Sequence, residues 1–78
     1  MIIEMSDYNV VAEFSEENLR WIITVTNNRT GKFVNMYADG ALFTDGENLI
    51  RDPDDPQIVA LKQVALDTLQ AQEANEFT

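Results

Sequence analysis

One helix signal, placed after a stretch that alternates with a period of two, most constrains what this chain can fold into. Asp55-Pro56 puts an acceptor side chain at the N-cap and proline at the first helical position, where its missing N–H matters least. Asp52 and Asp54, just upstream, suit the positive end of the helix dipole. From Gln57 to about Ala74 there is no Gly or Pro, and Ala, Leu, Gln and Lys favour the helix. Ile58, Leu61, Ala65 and Leu69 fall on one apolar stripe, widened by Val64. Val59 and Leu66 form a second stripe, with Lys62 between it and the first. Glu73 and Glu76 lie at the unfavourable end of the dipole, so the last turn is expected to fray.

Upstream, the pattern is that of strands. Tyr8, Val10, Ala12 and Phe14 alternate with Asn9, Val11 and Glu13, until Ser15-Glu16-Glu17-Asn18 breaks the run. Leu19, Trp21, Ile23 and Val25 then alternate with Arg20, Ile22, Thr24 and Thr26, rich in β-branched and aromatic types. Asn27-Asn28-Arg29-Thr30-Gly31 reads as a hairpin loop, and Asn28-Arg29-Thr30 as part of that turn rather than a glycosylation site. Lys32 to Ala38 is a third strand, with Phe33 and Tyr37 on one side and Val34 and Met36 on the other. Asp39-Gly40 suits a type I′ hairpin, so Ala41-Leu42-Phe43-Thr44 returns as a fourth strand or leaves as a loop. Asp45-Gly46-Glu47-Asn48 is a further turn, with Leu49-Ile50 tucked under it.

The expected fold is therefore α+β: a three- or four-stranded antiparallel meander over about 8–44, an acidic loop over 45–55, and one C-terminal helix over about 56–74 packed on one face. With 78 residues the chain is one domain. A chain of this size buries only roughly 60% of its unfolded surface. One helix covers one sheet face. If Trp21, Ile23 and Val25 face it, then Ile22, Thr24 and Val11 face away, beside either Phe33 with Tyr37 or Val34 with Met36. The hairpin loop is ambiguous by one residue, which swaps those sets. Apolar residues on the second face are the feature that marks a partner or dimer interface.

The chain has no Cys and no His, which removes disulfides, thiolate zinc sites and the usual general base near neutral pH. Ser6 and Ser15 have no nearby Lys, and Lys32 and Lys62 suit surface positions, so no catalytic residue is expected. Asp45, Glu47, Asp52, Asp54 and Asp55 offer oxygen ligands, but their spacing departs from a calcium loop, and no metal or other cofactor is expected. Five basic residues against fourteen acidic ones argue against direct nucleic-acid binding. The net charge of −9 instead favours encounter with a basic protein surface. Met1-Ile2-Ile3, followed by Glu4 and Asp7, lacks a basic start, and no apolar run is long enough to cross a membrane; the expected location is cytoplasmic.

From Asp39 to Asp55 six acidic residues stand against Arg51 alone, and Glu13, Glu16 and Glu17 form a second set. Carboxylates on rigid turns can imitate phosphates and occupy a basic groove, as a mimic of DNA does. The three strands Tyr8–Phe14, Leu19–Thr26 and Lys32–Ala38 with the acidic stretch Asp39–Asp55 resemble the small acidic inhibitors encoded by phages and mobile elements, of which anti-CRISPR proteins are the best-known group. That resemblance lies in size, charge and layout. It implies a non-catalytic inhibitor that blocks a nucleic-acid-binding host protein or CRISPR effector. The expected partner-binding residues are Asp39, Asp45, Glu47, Asp52, Asp54 and Asp55, with Phe33 and Tyr37 as aromatic anchors. The alternative is a small structural or assembly protein acting as a homodimer through the uncovered sheet face.

Overall fold

The computed structural model describes residues 7–75; the readings on residues 1–4, Ser6 and Glu76 lie outside that range. Three strands, β1 (Tyr8–Ser15), β2 (Arg20–Asn27) and β3 (Phe33–Asp39), form an antiparallel sheet in the order β1-β2-β3. The helix α1 (Pro56–Asn75) follows and packs against all three. This is the expected small α+β fold, with three strands in the main sheet.

Alternation decides which side chains meet the helix. Phe14, Trp21 and Ala38 lie abreast, then Ala12, Ile23 and Met36, then Val10, Val25 and Val34. These rows face α1, where Trp21, Ile23 and Val25 are fully buried and their neighbours on β1 and β3 partly so. The open question about β3 is thus resolved: Val34 and Met36 point inward, Phe33 and Tyr37 outward. The turn sets this register. Asn27 N–H donates to the Lys32 carbonyl at 2.8 Å and Gly31 N–H to the Asn27 carbonyl at 2.8 Å. Gly31 can make that turn because it sits at φ 77°, which side chains disfavour.

The helix starts as its sequence requires. Asp55 Oδ1 accepts from Gln57 N–H at 2.9 Å, and the Asp55 carbonyl accepts from Ile58 and Val59. Its buried face is rotated from the expected stripe. Ile58, Ala65, Leu66 and Leu69 are buried, while Val64 is 53% exposed and Val59 also faces solvent. Leu66, assigned above to a second stripe, belongs to the core. The rotation follows from what lies further along the same face: Lys62 is half-buried there, and Glu73 comes to rest on the sheet. Glu73 accepts from the Tyr8 hydroxyl at 2.8 Å and from Asn27 Nδ2. These two hydrogen bonds to the sheet tie the Glu73 carboxylate despite its place at the negative end of the dipole.

Residues 41–44 do not add a fourth strand to the sheet. A type I′ turn would need positive φ at Asp39, which sits at φ −62° and instead accepts from Ala41 N–H at 3.0 Å. Gly40–Leu42 is a short 3-10 turn, and Gly40 lies so close to the β1–β2 turn that a Cβ there would fall 2.6 Å from the Leu19 carbonyl oxygen. Beyond it, β4 (Thr44–Asp45) pairs with β5 (Asn48–Leu49) as a separate two-stranded hairpin. Ile50 then closes the core, its N–H donating to the Phe43 carbonyl at 3.0 Å. The Trp21 ring meets Phe14 edge-on at 5.4 Å, and its buried Nε1 has no hydrogen-bond partner among the described residues. No described helix is long and apolar enough to cross a membrane.

Candidate functional site

A 20-residue helix spans about 30 Å, and an eight-residue strand nearly as much. The two run alongside each other, so the molecule has two poles. One holds the β2–β3 turn and the end of α1. The other gathers the β1–β2 turn, the end of β3, the β4–β5 hairpin and the start of α1.

This second pole is acidic. Chain stretches far apart in sequence bring Glu16, Glu17, Asp39, Asp45, Glu47, Asp52, Asp54 and Asp55 there, with Arg20 and Arg51 as the accompanying cations. Arg51 grips Glu16, its Nε on Oε1 and its Nη2 on Oε2 at 3.2 Å, and covers the Phe14 ring at 5.2 Å. Glu16 in turn holds the guanidinium above its ordinary pKa. Arg20 lies over the Tyr37 ring at 4.7 Å.

The six expected acidic contact residues all reach this pole but do different work. Asp39, Asp52 and Asp55 each accept a nearby backbone N–H, and so shape the turns and the helix start. Asp45, Glu47 and Asp54 are exposed and make no side-chain hydrogen bond or ion pair among the described residues, so their charge faces outward. Among the described residues, no three such side chains are arranged to hold a metal ion.

The aromatic anchors separate. Both lie on the open sheet face, Phe33 62% and Tyr37 56% exposed. Four residues along a strand is about 13 Å, so only Tyr37 adjoins the acidic pole, beside a shallow groove of ≈ 330 Å³ lined with Asn18, Arg20, Ala38 and Asp39. Phe33 borders a groove of ≈ 400 Å³ at the opposite pole, between the β2–β3 turn and Leu69, Gln72 and Glu73 of α1.

Two leucines at the acidic pole escaped the sequence reading. Leu42 is 72% exposed on the 3-10 turn, and Leu19 is exposed at φ 51°, a conformation that a leucine rarely adopts. Leu42 sits in a run that reads equally as a strand. Leu19 looks like the first residue of the β2 alternation, and no local signal marks its positive φ. The Arg51–Glu16 pair joins residues 35 apart, which one sequence cannot reveal.

No family model, curated protein or solved structure matches this chain.

Proposed function

We propose that this chain is a non-catalytic protein-binding module whose acidic pole docks on a basic protein surface of the kind that receives nucleic acid. The observation that carries this reading is the convergence of acidic stretches on one pole, where the two accompanying arginines are already engaged with Glu16 and Tyr37. Such a pole raises the encounter rate with a positively charged partner and sets its orientation. Occupying the partner's groove would make the module an inhibitor, the role implied by its resemblance to small phage-encoded inhibitors. Asp45, Glu47 and Asp54 would supply the outward charge, and Tyr37 with Leu42 the apolar contact.

The test is retention of nucleic-acid-binding proteins from a bacterial lysate on the immobilised chain, at low and at high salt, beside the Asp45→Ala/Glu47→Ala double variant. A basic protein held at low salt, released at high salt and held less well by the double variant is the expected result. Because both side chains are exposed, the variant should unfold at the same denaturant concentration as the parent, within about 0.5 kcal/mol. Retention indifferent to salt and to the substitutions would overturn the reading.

A further inference from the structure

The free edge of β3 has a pattern that fits its own copy. Asn27 N–H bonds the Lys32 carbonyl and Gly40 N–H the Leu19 carbonyl. Between these fixed points, Trp21, Ile23 and Val25 turn their backbone groups toward β3, where Ala38, Met36 and Val34 meet them. The alternate residues Phe33, Asn35 and Tyr37 must therefore turn their N–H and C=O groups outward. β3 is an edge strand, and no described strand pairs with that side. Exposed edges are commonly guarded by charge, proline or a bulge. From Phe33 to Ala38 there is no charged residue and no proline, and the register to β2 runs without a bulge. The other edge strand, β1, carries Glu13.

We infer that β3 pairs antiparallel with β3 of a second copy about a two-fold axis at Asn35, joining two sheets into one of six strands. Only residues whose backbone groups face outward can form the hydrogen-bonded pairs, and this register uses three such positions. Asn35 meets Asn35 of the other copy, and each Phe33 meets a Tyr37. The match extends to side chains, because Phe33 and Tyr37 lie on the same open face and would form two cross-strand aromatic pairs. On the helix face, Val34 would meet Met36, both already against the core. Shifting the register by two one way would set Phe33 against Asp39, and the other way Phe33 against Asn35 and Tyr37 against Gly31, so either shift loses the aromatic pairs.

Charge and bulk permit the arrangement. The antiparallel junction sends the two acidic poles to opposite ends. On the open face the charged residues are Glu13, Arg20 and Asp39, close to neutral in a chain of net charge −9. The two β2 strands would lie about 14 Å apart, more than the roughly 8–10 Å between packed helices, so the helices do not collide. This contact shares Tyr37 with the proposed docking surface but none of its acidic residues, so its failure would leave the docking proposal standing.

The test is sedimentation of the full chain between about 1 µM and about 1 mM, in salt high enough to screen its net charge. A concentration-dependent dimer is expected. Asn35→Lys and Asn35→Glu each place like charges opposite each other at the axis, and each alone should weaken the dimer roughly tenfold or more. Mixing the two variants should restore a dimer containing one of each, which also shows that both fold. A chain that stays monomeric throughout would overturn the proposal and leave the edge to an extended peptide of another protein. A dimer insensitive to both substitutions would overturn it and place the contact away from β3.

Discussion

The two poles use the same kinds of side chain to opposite ends. At the β2–β3 turn, polar groups bond one another. Asn27 Oδ1 accepts from Arg29 N–H at 2.9 Å and Thr30 N–H at 3.4 Å, while its Nδ2 donates to Glu73, which also takes the Tyr8 hydroxyl. Asn27 is buried, so these bonds replace water that it cannot reach. At the acidic pole, three aspartates hold local turns, Glu16 pairs with Arg51, and Asp45, Glu47 and Asp54 face solvent. A carboxylate accepting two hydrogen bonds fastens a helix to a sheet. A carboxylate on an exposed hairpin adds to the field and leaves the fold unchanged. The difference separates residues selected by folding from residues available for binding.

The largest effect is expected at Trp21, which supports the acidic pole from beneath through its edge-on contact with Phe14. Trp21→Ala should destabilise the domain by about 3–5 kcal/mol, read as a fall in the urea midpoint. Trp21→Phe sharpens the point, because it keeps an aromatic ring in the core while removing, as the alanine change does, a buried donor whose lack of a partner costs about 1–3 kcal/mol. The phenylalanine variant should therefore lose much less stability than the alanine one. Because both variants remove the indole N–H, equal losses would mean that a phenyl ring cannot pack in the indole's place against Phe14. Next comes the contrast between the poles. Asn27→Ala should cost about 1–3 kcal/mol by stripping partners from Glu73 and the turn, whereas Asp45→Ala should stay within about 0.5 kcal/mol of the parent. Similar losses in urea unfolding would erase the distinction.

Much of this was legible in the chain itself, for physical reasons. The alternation about Trp21, Ile23 and Val25 gives the buried face of β2 because the side-chain period of a strand is fixed. Asp55-Pro56 gives the start of α1 because capping is local. What stayed hidden depends on contacts between distant residues. The inward set of β3 turned on how one turn closes at Asn27 and Lys32. The rotation that buries Leu66 and exposes Val64 follows Glu73 reaching Tyr8 and Asn27, 65 and 46 residues away. Asp39-Gly40 carries the signature of a hairpin, yet the glycine serves a close approach to Leu19. At the candidate site, composition located the acidic stretch. It did not separate the aspartates that cap turns from those that face outward, nor did it show that Phe33 and Tyr37 lie toward opposite poles.

The smallest effect is a dependence on alkaline pH confined to the β2–β3 pole. The Tyr8 hydroxyl donates to Glu73, and that hydrogen bond, reinforced by partial burial and by the Glu73 charge, raises the Tyr8 pKa above its ordinary value of about 10. The folded chain thus keeps a proton that the unfolded chain loses first. This contribution to stability is complete below the ordinary value and is lost as pH rises through the higher native one. Thermal midpoints measured from neutral pH upward should fall beyond about pH 10, and Tyr8→Phe, which has nothing to titrate, should flatten part of that fall. Glu73→Gln should do the same by a different route, since an amide accepts the phenol without a charge to oppose the phenolate. Because Tyr8 is only half-buried, solvent screens the pair and the shift should be modest. An unchanged alkaline slope in both variants would show that Glu73 does not raise the Tyr8 pKa in the folded chain.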